Sequence, residues 1–151
     1  MFPLKDDIPT RRVPVLTLAI IAINVAVYFL FEQGLWSLGE IGNERVQDYA
    51  AIPAEITQGD DAAGTPPDPA PFWVTIFSSM FMHGSLLHLG GNMLFLWIFG
   101  NNIEDSMGRL TFVAFYLLGG IAALGLHVVF DPGSIVPTIG ASGAIAAVLG
   151  A

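Results

Sequence analysis

The sequence predicts an all-α protein, a bundle of helices that crosses a membrane several times. Hydrophobic residues make up 54% of its 151 positions and charged residues only 12%, about half the share in soluble domains. A helix rises about 1.5 Å per residue, so about 20 apolar residues cross the hydrocarbon core of a bilayer. Runs free of Asp, Glu, Lys and Arg occupy residues 13–31, 77–99, 110–130 and 139–151, the last too short to cross alone.

The first run follows a basic tail, residues 1–12, which contains Lys5, Arg11 and Arg12. A basic start before an apolar run also describes a cleavable signal peptide. Residues 13–31 exceed the usual apolar core of such peptides, roughly 7–15 residues, and no small-residue cleavage site follows. We therefore predict a membrane-spanning helix, in which Asn24 makes a polar contact to a neighbouring helix.

Residues 32–71 are predicted to form a long acidic loop. This stretch holds eight of the 13 acidic residues, and the four prolines within residues 66–71 exclude a regular helix near its end. The net charge of −8 argues against nucleic-acid binding, which needs clustered Lys and Arg. The absence of cysteine excludes disulfides, thiolate catalysis and Cys-ligated metals.

The basic residues predict the orientation. Three of the five precede the first span, so residues 1–12 are expected in the cytoplasm, with the protein in an inner or plasma membrane. The acidic loop, the turn at 131–133 and the start of the fourth run are then external. Polar residues at 101–105 are expected to end the second span. The fourth run stops at Ala151, so we expect residues 13–151 to be a truncated membrane domain.

Polar side chains inside a membrane are costly and indicate function. His88 and Asn92 are four residues apart and share one helix face. Ser142 lies at a comparable depth, near the external end of the fourth run. A serine needs a base to become nucleophilic, and acyl transfer needs donors aimed at the developing oxyanion. An amide at a helix start, such as that of Ser142, is one such donor.

Small residues predict where helices approach closely. Gly90 and Gly91 are expected to admit another helix, matched by the stripe of Gly143, Ala147 and Gly150, and Gly119–Gly120 indicates close packing in the third span. His83 and His88 are five apart and do not share a helix face. With no H-E-x-x-H motif or third ligand, neither a metal nor another cofactor is predicted.

Three segments together resemble the rhomboid family of intramembrane serine proteases. Residues 81–93, FMHGSLLHLGGNM, resemble the family's second-helix motif H-x4-H-x3-N. Residues 104–109, EDSMGR, look like its acidic-Gly-Arg linker, and residues 140–145, GASGAI, are similar to its G-x-S-G motif. Trp73 also fits. The likeness is close over residues 71–151 and holds only in outline before them.

The resemblance implies a six-helix core and a Ser–His dyad that cuts transmembrane or membrane-adjacent segments of protein substrates in the bilayer. Ser142 is then the nucleophile, within a motif that includes Gly140 and Gly143. His88, Asn92 and the Ser142 amide form the oxyanion hole, and His83 supports the second helix. The family's general base is a histidine on the sixth helix, which we expect beyond Ala151. His127 does not match that position, so these 151 residues are expected to be inactive alone.

Two alternatives stay open. A non-catalytic rhomboid relative would bind transmembrane segments, but such relatives usually lack the serine or the second-helix histidine, and both are present here. A small transporter or channel would use His88, Asn92 and His127 as a polar path. That function predicts polar residues through the whole membrane depth, whereas these cluster near one side.

Overall fold

A computed structural model describes residues 12–32, 48–59, 62 and 70–151. Nearly all of the predicted basic tail and much of the predicted acidic loop lie outside these residues. The described part confirms the all-α class, because its only β feature is an isolated antiparallel bridge between Ala51 and Thr138. Its six α-helices are α1 (Val15–Ala26), α2 (Pro53–Gln58), α3 (Phe72–Ser78), α4 (Leu86–Met107), α5 (Arg109–Phe130) and α6 (Ser142–Leu149).

Within the part of the chain that the structure describes, two helical stretches are long and apolar enough to span a bilayer, namely Val15–Glu32 and Arg109–Phe130. The first combines α1 with a π-helical segment, Val27–Glu32. On α5, large apolar side chains such as Leu118 and Val129 are 63% and 74% exposed. Such exposed apolar surface is costly in water and suits a lipid environment.

The second predicted span begins and ends later than residues 77–99. Helix α3 and a 3₁₀ turn, Ser79–Phe81, come first, and α4 starts at Leu86. Ser85 fixes this start, because its side chain accepts a hydrogen bond from the His88 amide at 3.1 Å. The polar residues at 101–105 were expected to end this span, but they lie within α4. Its end is set by Gly108, which has a φ of +80°.

A buried carboxylate caps the first turn of α1, where Pro14 offers no side-chain cap. The Leu16 and Thr17 amides donate to the two oxygens of Glu104 at 3.0 and 2.8 Å, and the Thr17 hydroxyl donates at 2.8 Å. Arg109 Nε lies 3.9 Å from the same carboxylate. Glu104 therefore ties the start of α1 to the end of α4.

Helix α6 packs closely on α5. A Cβ added at Gly119 would lie 2.4 Å from the Ala147 Cβ, and one at Gly143 would lie 2.6 Å from the Ala123 Cβ. The predicted close packing at Gly119–Gly120 is thus confirmed. The predicted partners of the stripe were wrong, because Gly143 and Ala147 face α5. A Cβ added at Gly90 or at Gly91 would meet nothing within 4 Å, so no helix of the described part approaches closely there.

Asn24 is fully buried inside the first span. Its side-chain amide donates to the Ile20 carbonyl of its own helix at 2.7 Å, and it lies beside the buried Tyr116 hydroxyl of α5. A buried amide needs such polar surroundings in an apolar bundle. Asn24 therefore belongs to the packing between α1 and α5.

Two segments predicted to be external lie together at one end of the bundle. The Ala51 and Thr138 backbones exchange two hydrogen bonds, of 3.1 and 2.8 Å. The Ala54 amide donates to the Ser134 carbonyl at 3.0 Å, and the Thr57 hydroxyl donates to the Pro132 carbonyl at 2.8 Å. The loop after α5 is thereby held in place just before it reaches Ser142.

Candidate active site

The approach to Ser142 passes through Gly140, a position that only glycine fits. Its φ is +118°, which strains any residue with a Cβ. Its amide donates to the Ser79 carbonyl at 2.8 Å. A Cβ at Gly140 would also lie 2.8 Å from both Cε1 and Nε2 of His88. The bend at Gly140 therefore lets the chain pass directly over the His88 ring.

Ser142 is the first residue of α6 and is exposed. Its amide is thus one of the first-turn donors that have no acceptor within the helix. The position that a Cβ on Gly140 would take lies 2.8 Å from His88 Nε2 and 3.6 Å from the Ser142 Oγ. The hydroxyl and the imidazole therefore flank one small space. Ser142 also lines a cavity of about 120 Å³ between α3, α5 and the loop at Thr138.

His88 lies in the first turn of α4 and is partly exposed. Its backbone is held by the Ser85 cap, and its ring contacts that of His83 edge to face, with 5.1 Å between the ring centroids. Cap and ring contact together leave His88 Nε2 directed at Gly140. An imidazole N–H in this position is able to donate to an atom bound at Ser142.

Asn92 lies one turn after His88 on α4 and is only 8% exposed. Its Nδ2 is buried and has no hydrogen-bond partner among the described residues. An unpaired buried donor costs about 1–3 kcal/mol. Such a cost is tolerated where the donor meets a ligand or a developing charge.

His83 is fully buried in the loop before α4. Its ring lies near the Phe81 carbonyl, yet within the described part of the chain neither ring nitrogen forms a hydrogen bond of normal geometry. The His83 amide donates to both carboxylate oxygens of Glu32, at 3.1 and 3.2 Å.

Sequence reasoning missed Glu32, which was assigned to the external loop. The structure buries it, with 4% exposure, at the end of the first apolar helix. A charge at the edge of an apolar run normally marks the end of a span. The sequence therefore predicts a loop from residue 32, whereas the helix extends through Glu32. The available signal was the cost of a carboxylate beside a membrane span, which indicates a specific partner.

Two further residues contact α5 or the loop before Ser142. Gly143 packs against Gly120 and Ala123 of α5 and, like Ser142, lines the small cavity. His127 Nδ1 lies 2.9 Å from the Thr138 hydroxyl, a hydrogen bond that ties α5 to the loop before Ser142. Its interaction is with that loop and not with Ser142.

No group of three or more His, Asp or Glu side chains gathers into a metal site in residues 12–32, 48–59, 62 and 70–151. The exposed hydroxyl, the facing imidazole and the unpaired amide instead suit acyl-transfer chemistry, which needs a nucleophile and oxyanion donors. The expectation that the protein uses no metal or cofactor stays a prediction.

Comparison with known proteins identifies the family. The Rhomboid domain model matches residues 71–151, which hold Ser142, His88 and Asn92 and make up more than half of the chain. The chain therefore belongs to the rhomboid family, as the three sequence motifs predicted.

Individual relatives agree with this assignment. The chain is 31% identical over 140 residues to Rhomboid protein 1, mitochondrial, of Saccharomyces cerevisiae, covering 89% of this chain and 35% of that protein. It is 30% identical over 139 residues to Rhomboid protease GluP of Bacillus subtilis, covering 91% and 24%. It is 41% identical over 75 residues to Presenilin-associated rhomboid-like protein A, mitochondrial, of Danio rerio, covering 48% and 20%. The chain thus spans about a fifth to a third of these relatives. No solved structure matches it.

Proposed function

We propose that the complete protein is an intramembrane serine endopeptidase that cleaves transmembrane or membrane-adjacent segments of protein substrates. The observation that carries this proposal is that His88 Nε2 and Ser142 Oγ lie 2.8 and 3.6 Å from one point, the position that a Cβ on Gly140 would take. The similarity to a relative named a rhomboid protease supports it.

In the proposed reaction, the Ser142 hydroxyl attacks the scissile carbonyl and loses its proton to a histidine base. The new oxyanion accepts hydrogen bonds from the Ser142 amide, His88 and Asn92. Each such donor stabilises the transition state by about 3–4 kcal/mol. The tetrahedral intermediate then expels the amine, and water hydrolyses the acyl-enzyme.

The general base is the one part that the described side chains do not supply. The resemblance assigns His88 to the oxyanion hole, His83 is fully buried, and His127 bonds Thr138. We propose that the base is the later-helix histidine of the family, beyond Ala151. A chain of residues 1–151 alone is then expected to keep only oxyanion-type assistance.

Labelling of the complete protein with a fluorophosphonate or isocoumarin probe tests the nucleophile. We expect wild-type protein to be labelled and Ser142→Ala to be silent, with Ser106→Ala, an exposed serine on α4, as the matched control. Labelling that persists in Ser142→Ala would remove this residue from the mechanism.

The same experiment addresses the alternative of a non-catalytic relative. That function predicts that transmembrane segments still bind and crosslink, while neither labelling nor cleavage occurs in wild-type protein. The presence of both Ser142 and His88 favours the protease.

We further propose that residues 1–12 face the cytoplasm and that Ser142 opens to the external side of an inner or plasma membrane, following the distribution of basic residues. Reporter fusions at Gly64 and at Asn102 test this orientation. We expect an external reporter at Gly64 and a cytoplasmic one at Asn102. A cytoplasmic Gly64 would contradict the proposal.

A further inference from the structure

Glu32 is a buried carboxylate that the proposed chemistry does not use. It lies at the end of the first apolar helix with only 4% of its surface exposed. Moving a carboxylate out of water is costly unless specific donors replace the lost hydration. Its position therefore requires an explanation in terms of what it contacts.

The backbone before Glu32 is unusual. Residues Val27–Glu32 form a π-helical segment in which Tyr28 and Glu32 are buried. Such wide turns are rare and occur frequently at functional sites. Here the segment ends with the Glu32 carboxylate against the loop that precedes α4.

The contact that Glu32 makes is specific. Both of its oxygens accept from the His83 amide, at 3.1 and 3.2 Å. His83 lies between the 3₁₀ turn and α4, where no helical carbonyl is available to its amide. The carboxylate thus fixes the loop at one point, and the Ser85 cap on the His88 amide fixes it at a second.

From this anchor, contacts lead directly to the oxyanion side of the site. The His83 ring is fully buried and packs edge to face on the His88 ring, 5.1 Å between centroids. Cε1 and Nε2 of His88 in turn lie 2.8 Å from the position that a Cβ on Gly140 would take. Because the His83 ring is enclosed, a movement of its backbone shifts the surface on which His88 rests.

We propose that Glu32 is a positioning residue for the oxyanion hole: by holding the His83 amide, it sets the His88 ring against Gly140 and Ser142. This inference rests on the proposed function for its catalytic consequence. The orientation of the His88 ring does not depend on that function. Ring orientation and cleavage rate are therefore measured separately.

The test uses the complete protein with Glu32→Ala and Glu32→Gln. Alanine removes the acceptor, so we expect kcat for a peptide substrate to fall about 10–100-fold with KM little changed, a smaller loss than deletion of a whole oxyanion donor. Glutamine keeps one oxygen able to accept from the His83 amide, so we expect kcat to recover to within about threefold of wild type.

Glu104→Ala is the matched control, since Glu104 is equally buried and also accepts backbone amides, those at the start of α1. We expect both alanine variants to lower the melting temperature, but only Glu32→Ala to lower kcat of the folded protein. Equal losses of kcat in the two variants would reduce Glu32 to a stabilising role and overturn the proposal.

The resonances of the His88 ring in NMR spectra give a readout that does not depend on activity. We expect them to shift in Glu32→Ala and to stay in place in Glu104→Ala. Unshifted resonances in Glu32→Ala would overturn the proposal. Shifted resonances in a protein whose wild type is inactive would sustain the positioning while refuting the protease function.

Glu32→Asp covers the case in which alanine prevents folding. The side chain keeps its charge but is one methylene shorter, so it withdraws from the His83 amide. We expect a reduced kcat and shifted His88 resonances. A wild-type kcat together with unshifted resonances would overturn the proposal.

Discussion

A buried glutamate lies at each end of the first apolar helix, Val15–Glu32, and the two differ in what they contact. Glu104 meets three donors from the first turn of α1, with Arg109 nearby. Glu32 meets one amide, that of His83, and the ring nitrogens of this histidine have no hydrogen-bond partner among the described residues. Buried polar networks that are fully satisfied rigidify a structure, whereas unsatisfied ones indicate a place that awaits a ligand.

The difference extends to the surrounding residues. Both ring nitrogens of His83, whose amide Glu32 holds, are buried without partners in the described part of the chain, and so is Asn92 Nδ2, one turn after His88 on α4. At the Glu104 end, the carboxylate completes the cap that α1 lacks. We therefore expect substitutions at the His83 end to change rates more than stability, and substitutions at the Glu104 end to do the reverse.

The largest effect is expected for Gly140→Ala. The new Cβ would meet the His88 ring at 2.8 Å on a backbone with φ +118°, so it would push apart the two groups that converge on the substrate. We expect kcat/KM to fall at least about 10³-fold, as for loss of an oxyanion donor with added misalignment. Gly125→Ala, where nothing lies within 4 Å, is the control and should keep activity. Near-normal activity of Gly140→Ala would contradict the proposed site.

Asn92→Ala should have the next largest effect. If Nδ2 donates to the oxyanion, kcat should fall about 10²–10³-fold. Folding should be kept, because the amide nitrogen that is lost has no hydrogen-bond partner among the described residues. Peptide-cleavage kinetics and a thermal melt measure both quantities. An unchanged kcat would remove Asn92 from the mechanism.

Glu104→Gln should show the opposite pattern. It removes the charge and one acceptor oxygen from three donors at the start of α1. We expect a loss of about 2–3 kcal/mol in the free energy of unfolding, the scale of hydrogen bonds to charged groups. The kcat of the folded protein should be unchanged. Denaturation in detergent measures the loss, with Ser106→Ala, on the same part of α4, as the control. If Ser106→Ala and Glu104→Gln were equally stable, the capping role of Glu104 would be refuted.

Thr138→Val should have the smallest effect. It removes the hydrogen bond to His127 and leaves the backbone bridge to Ala51 in place. We expect a loss of about 0.5–1.5 kcal/mol in stability and a change in kcat of only a few fold. A double-mutant cycle with His127→Phe isolates the pair. A kcat loss as large as that of Asn92→Ala would mean that the loop at Thr138 controls the reaction rate as strongly as the oxyanion donors do.

Much of the site was predictable because its residues follow from local spacing. His88 and Asn92 are one turn apart on any helix. Gly140, two positions before Ser142, suits a sharp bend into a helix start. The limits of α4 were not predictable from hydropathy. The Ser85 cap and Gly108 decide them, while the apolar run begins and ends elsewhere. Glu32 was missed for a different reason, because its burial depends on His83, 51 positions away.

The sequence by itself determined the all-α class, the membrane-capable spans and the rhomboid motifs, because apolar run length, helical period and motif spacing are local properties. Only the tertiary structure decided which helix receives the small-residue stripe and what the two buried glutamates contact. Those outcomes depend on long-range packing and on which buried donor meets which acceptor, and neither is fixed by the order of residues within a single segment.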